Sequence, residues 1–153
     1  MENKLNPFYV TGFAEGEGSF YVGILPRKMK TGWEVRPSFS LSQNEKDKIL
    51  VSSLVDFFGC GFVRPSKGDQ TVKYEVRSLK DLQDKIIPHF EKYQLKGRKQ
   101  NDFIAFKKAI KIMKTNKHLE KEGLKEIIFL ALSMTKNPRR IKSLQNIITL
   151  LKV

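Results

Sequence analysis

Along the first half of the chain, apolar positions recur at two spacings: every second residue, as in a strand with one buried face, and every third or fourth, as in a helix. Residues 19–27 set Phe20, Val22 and Ile24 against Tyr21, Gly23 and Leu25. Residues 33–43 resume the alternation, with Val35, Phe39 and Leu41 on one side and Glu34, Arg36, Ser38, Ser40 and Ser42 on the other. The polar segment 28–32 between them completes a hairpin. Asn44, with Asp47 three residues on, then caps a helix carrying Ile49, Leu50, Leu54, Phe57 and Phe58 as far as Gly59. A second hairpin follows, residues 61–65, a turn at 66–69, and 71–77 with Val72, Tyr74 and Val76 inward and Lys73, Glu75 and Arg77 outward. Ser78 caps a further helix through Phe90. From Glu91 the pattern predicts a long helix with Phe103, Phe106, Ile110 and Met113 on one side, and more helical segments fill 117–153, one starting at Pro138.

Ahead of the first strand, residues 7–20 read Pro-Phe-Tyr-Val-Thr-Gly-Phe-Ala-Glu-Gly-Glu-Gly-Ser-Phe. Pro7 suits the first helical position, where its missing N–H has no partner to lose. Gly12 and Gly16 then lie four apart on one face, a spacing that lets a second helix approach backbone to backbone. Glycine inside a helix costs about 1 kcal/mol against alanine, so two in so short a helix call for a compensating contact. Glu17 ends the helix, where the macrodipole disfavours negative charge. A carboxylate there against local preference points to a nearby cation. Taken alone, the same segment also reads as an amphipathic helix entering a glycine-rich turn with two surface acids.

The 153 residues fit one domain, and 40% hydrophobic with 29% charged residues is the composition of a globular protein. The charge changes the picture. Residues 1–78 carry 11 Lys+Arg against 9 Asp+Glu, residues 79–153 carry 18 against 7, and the whole chain stands at +13. Such an imbalance points to a polyanionic partner. One cysteine, Cys60, excludes an internal disulfide, and with only His89 and His118 it leaves too few ligands for a zinc finger. Cys60 reads as a small buried residue and His118 as a surface or helix-boundary residue. No apolar stretch nears the roughly 20 residues of a membrane span, so no membrane partner is expected. No Arg-rich leader is evident either, which fits synthesis inside an organelle or removal of the leader.

The segment Val10-Thr11-Gly12-Phe13-Ala14-Glu15-Gly16-Glu17-Gly18 resembles the signature of the LAGLIDADG homing endonucleases. Glu stands for Asp at both acidic positions, and Thr11 stands where Ala is commonest. The stretch from Asn116 to Ile128 is similar to the segment after the first half of two-motif mitochondrial enzymes, so the likeness covers nearly the whole chain. The resemblance implies an α+β αββαββα fold with a saddle of antiparallel strands over about residues 5–115 and a helical tail over about 117–153, together one domain. It implies a site-specific double-strand DNA endonuclease of intron homing, organellar and with no small-molecule substrate. Glu17, with Gly16, would hold Mg²⁺, and Ca²⁺ would support binding without cleavage. Glu15 would have a structural role at the helix end. Gln43 would position water, and a lysine near the scissile phosphate would be Lys96 or Lys99, depending on register.

The same resemblance makes the polar strand face a DNA-reading surface: Arg27, Glu34, Arg36, Ser38, Ser40, Ser42, Arg64, Ser66, Lys73, Glu75 and Arg77. These residue types can pair with base edges in the major groove, although antiparallel sheets commonly leave one face merely wet. No second acidic motif follows residue 20. Two facing helices therefore imply a C₂ homodimer on a long pseudo-palindromic site, with Phe8, Val10, Thr11, Gly12, Ala14 and Glu15 at the interface. The chain as the detached half of a two-motif protein stays open, as does a non-cleaving, maturase-like nucleic-acid binder.

Overall fold

A computed structural model describes residues 4–152. Helix α1 (Pro7–Glu17) leads into strands β1 (Gly18–Pro26) and β2 (Trp33–Asn44). Helix α2 (Lys48–Phe58) follows a short 3₁₀ turn, and strands β3 (Phe62–Pro65) and β4 (Thr71–Val76) come next. Then come α3 (Leu79–Asp81), a π-helical turn (Leu82–Ile86), α4 (Ile87–Lys92), α5 (Lys99–Lys114), α6 (Lys121–Ser133) and α7 (Pro138–Leu151). The four strands form an antiparallel sheet in the order β1-β2-β4-β3. The α+β class and the αββαββα order expected from the sequence are both present. Among the described residues no helix is long and apolar enough to cross a membrane.

The residues gather into two compact units. The first comprises residues up to Phe20 and Ser38–Gln100. Its core sets the rings of Phe20, Phe39 and Phe90 at 5.1 to 5.4 Å from one another. Phe58 stacks on Tyr74 beside them. In the sheet, Ser40 pairs with Glu75, Ser42 with Lys73, and Leu41 with Tyr74. Across β4, Phe62 pairs with Glu75 and Arg64 with Lys73. Paired residues share a face, so Ser40, Ser42, Phe62, Arg64, Lys73 and Glu75 lie together, opposite Leu41 and Tyr74. Ile49, expected on the buried stripe of α2, is 88% exposed; Val51, Leu54 and Phe58 form that stripe instead.

One helix expected over 78–90 proves to be three short segments joined by a π turn. Pro88 supplies no N–H to the preceding turn and crowds its carbonyls, which a widened turn relieves. The long helix expected from Glu91 does not start there: α4 stops at Lys92, and α5 starts at Lys99. Tyr93 takes φ −111°, ψ 80°, where its carbonyl accepts a 2.8 Å hydrogen bond from the Thr11 hydroxyl. A contact to a residue 82 positions earlier overrides local propensity.

The second unit comprises Tyr21–Pro37 and the residues from Asn101 onward. Phe106, Ile110, Leu124, Ile127, Ile128, Leu144 and Ile147 fill its core. Arg140 of α7 donates to the Val22 carbonyl at 2.6 Å and to the Tyr21 hydroxyl, with its guanidinium over the Tyr21 ring. Lys30 pairs with Glu120 at 2.7 Å.

Candidate nuclease site and nucleic-acid interface

Helix α1 starts as its sequence predicts: the Asn6 side chain accepts from Phe8 N at 2.8 Å, and Pro7 occupies the first turn. Its two sides differ. Val10 and Ala14 are fully buried and Thr11 nearly so, all within the chain's own core. Thr11 Oγ1 donates to Tyr93 O, so at 3.1 Å it accepts from His89 Nε2, and the imidazole carries its proton on that nitrogen. Burial among Phe57, Phe58 and Phe90 pushes the His89 pKa down to about 4. On the other side, a Cβ added at Gly12 or Gly16 would meet nothing within 4 Å, and Tyr9 is half exposed. The expectation that Val10, Thr11 and Ala14 belong to an intermolecular interface is thus corrected: the chain covers them itself. Gly12 remains open, and Phe8 is 72% exposed with its ring edge on Tyr93.

The end of α1 is gripped from the far side of the sequence. Glu15 accepts from the backbone N–H of Lys96 at 2.8 Å and of Gly97 at 2.9 Å. A Cβ at Gly97 would stand 2.6 Å from Glu15 Oε1, so any other residue here would push the Glu15 carboxylate from its present place. Lys99 Nζ donates to the carbonyls of Ala14 and Glu15, both at 3.0 Å. These carbonyls lie in the last turn, where the negative end of the helix dipole attracts a cation. Gly18 turns the chain into β1 with its N–H on Ala14 O, and a Cβ there would approach that oxygen to 2.6 Å.

Glu17 is exposed at this same helix end. Of the two candidate lysines, Lys99 brings its ammonium to the helix end, while Lys96 contributes its backbone N–H. Gln43 lies at the last turn of β2 and accepts from Asn44 N at 3.1 Å. Among the described residues no group of three or more His, Cys, Asp and Glu could hold a metal. At this end of α1 the exposed acid is Glu17, and the other donors of the last turn are carbonyl oxygens and the Glu15 carboxylate, which is taken up by the Lys96 and Gly97 N–H groups. That donor set suits a hard, largely hydrated divalent ion that takes further oxygens from elsewhere, and it does not suit zinc.

On the polar sheet face of the first unit, Ser40 and Glu75 are buried, contrary to their expected exposure. Glu75 Oε2 accepts from Arg64 Nε at 2.9 Å and from Arg77 Nη2 at 3.1 Å. Burial pushes the Glu75 pKa up, but hydrogen bonds from Arg77 and Arg64 outweigh it and hold the carboxyl below its ordinary value. Ser38, Ser42, Ser66 and Lys73 remain partly open. In the second unit, Glu34 bridges Arg27 at 2.6 Å and Arg36 at 3.0 Å, and these bonds, Arg27's foremost, lower its pKa. Sequence reading assigned both glutamates to bases and missed these ion pairs, for which the Glu34/Arg36 and Glu75/Arg77 spacing of two along one strand face was the available signal.

The sequence and fold are similar to those of known proteins. The chain is 42% identical over 126 residues to "Probable intron-encoded endonuclease 2" of Neurospora crassa, covering 81% of this chain and 28% of that protein. It thus spans under a third of the length of that curated relative. The crystal structure of the homing endonuclease I-TnaI superposes with a TM-score of 0.87 at 39% identity, covering 95% of this chain and 99% of that one. I-SmaMI, bound to uncleaved DNA target in the presence of calcium ions, gives 0.86 at 38% identity over 93% of this chain and 49% of that one. With the family model for LAGLIDADG endonucleases matching residues 10–110, from the buried side of α1 into α5, the chain belongs to the LAGLIDADG endonuclease family.

Proposed function

We propose that this chain is one half of a site-specific double-strand DNA homing endonuclease. Two copies would pack through the open Gly12 and Gly16 side of α1 and address a long pseudo-palindromic site. The observation that carries this reading is an exposed acid, Glu17, ending a helix in which a Cβ at Gly12 or Gly16 would meet nothing within 4 Å among the described residues. Apposing two such helices would relieve the cost of both glycines and bring two carboxylates together.

In this reading Glu17 and the Gly16 carbonyl would hold Mg²⁺, and Ca²⁺ would support binding without cleavage. A bound Mg²⁺ supplies charge against the phosphate and lowers the pKa of water. Lys99 holds a positive charge at the helix end and faces the developing charge on the scissile phosphate. Gln43 offers an amide to orient water. Arg64, Lys73 and Arg77 in one unit, and Arg27 and Arg36 in the other, contact DNA. An intron-borne, mitochondrial gene is the setting, supported by the intron-encoded relative in N. crassa.

The test is selection of cleaved sites from a randomised DNA library in Mg²⁺ and in Ca²⁺, with light scattering for mass. Two-fold symmetric sites cut only in Mg²⁺, by a particle twice the chain mass, are expected. Binding without cutting would make the chain a non-cleaving nucleic-acid binder. A monomer that selects no site would leave it a detached half.

A further inference from the structure

The buried carboxylate on an otherwise cationic sheet face calls for a role of its own. Glu75 sits in the middle of the β2-β4-β3 row, opposite Ser40 on one side and Phe62 on the other. Its side chain is 9% exposed, whereas those of Arg64 and Arg77 are 41% and 59% exposed. The carboxylate is thus the floor and the two guanidiniums are the surface. One oxygen, Oε2, receives both cations, and Arg77 also lies over the Phe62 ring at 5.3 Å.

Which nitrogens are engaged decides what remains. Arg64 binds Glu75 through Nε, so its Nη1 and Nη2 fork points away from the contact. That fork is the part of arginine that pairs bidentately with guanine O6 and N7. Arg77 binds through Nη2 while its plane is held against Phe62. A long arginine loses much rotamer freedom when it engages a base, and fixing it beforehand lowers that cost. Glu75 itself is poorly placed to reach a base: it lies beneath both arginines, and a cytosine amine would have to displace them. Glu34 makes the corresponding bridge between Arg27 and Arg36, but its side chain is 25% exposed and so is less enclosed.

We infer that Glu75 is a positioning residue for DNA readout, holding the Arg64 and Arg77 guanidiniums in the orientation that selects bases, and is not itself a base contact. This rests on the DNA-endonuclease reading above and names a residue that sets its specificity.

The experiment compares the base preferences of the wild-type chain, Glu75→Gln, Arg64→Ala, Arg77→Ala and the Glu75→Gln/Arg64→Ala double variant by library selection, with thermal melting of each. Glu75→Gln is expected to relax preference by about tenfold at the positions that Arg64→Ala relaxes, with little further loss in the double variant. Glu75→Asp, which keeps the charge but shortens the reach, is expected to show the same positional pattern more weakly. Should Glu75→Gln fail to fold, Glu75→Asp with Arg64→Ala carries the comparison. A changed preference at a position untouched by Arg64→Ala and Arg77→Ala would make Glu75 a base contact and overturn the inference. So would an unchanged profile, or uniform weakening across all sequences. If the wild-type chain selects no site, the endonuclease reading falls and this inference with it, an outcome distinct from selection that Glu75 does not influence.

Discussion

The two sides of α1 are made of similar residues and have opposite fates. Val10, Thr11 and Ala14 are sealed in the first unit, while a Cβ at Gly12 or Gly16 would meet nothing within 4 Å among the described residues. If the open side is where copies pack, as proposed, stability and assembly are separated on one eleven-residue helix. Substitutions on the sealed side should act on folding, and those on the open side on association and cleavage.

The largest expected effect tests the end of the open side. Glu17→Gln should lower the cleavage rate roughly a thousandfold, since charge stabilisation by a bound metal is worth several kcal/mol. Melting temperature and DNA binding should stay near wild type. Near-normal cleavage by this variant would remove Glu17 from the site.

The sealed side should respond to acid. His89 titrates at about 4 in the folded chain, against about 6.5 when unfolded. Above pH 6.5 it is neutral in both states and costs nothing. As pH falls from 6.5 to 4 the unfolded chain takes up the proton first, so stability drops by up to about 3 kcal/mol at 1.36 kcal/mol per unit. Denaturant melts across that window should show this slope, and His89→Gln should flatten it.

Ala14→Leu should destabilise the chain by about 1–3 kcal/mol through overpacking, read as a lowered melting temperature. Gly12→Ala should do the reverse, stabilising the isolated chain by up to about 1 kcal/mol while weakening self-association in sedimentation. If Ala14→Leu folds normally, or Gly12→Ala melts lower, the contrast between the two sides is wrong.

Much of this was legible in the residues. Pro7, the two glycines and Glu17 marked α1 and its acid, and strict alternation at Val72, Tyr74 and Val76 marked a buried strand face. What the chain hid were contacts between distant positions. Glu75 alternates correctly with Lys73 and Arg77, and that spacing hinted at the Arg77 pair, but the Arg64 partner comes from another strand and is set by a register that alternation does not give. The break after Lys92 was invisible because its cause, Thr11, lies far upstream. Nor did the sequence show that Lys96 meets Glu15 by its backbone N–H while Lys99 brings its ammonium to the carbonyls of the same helix end.

Glu15 holds residues 96 and 97 by main-chain N–H groups and never by side chains. Such a grip is blind to amino-acid identity except at Gly97, where a Cβ would press on Glu15 Oε1 at 2.6 Å and move it. Position 96 can therefore carry other side chains without breaking the hydrogen bond that its N–H gives Glu15 at the helix end that carries Glu17. The loop works as an exchangeable tip on a fixed mount.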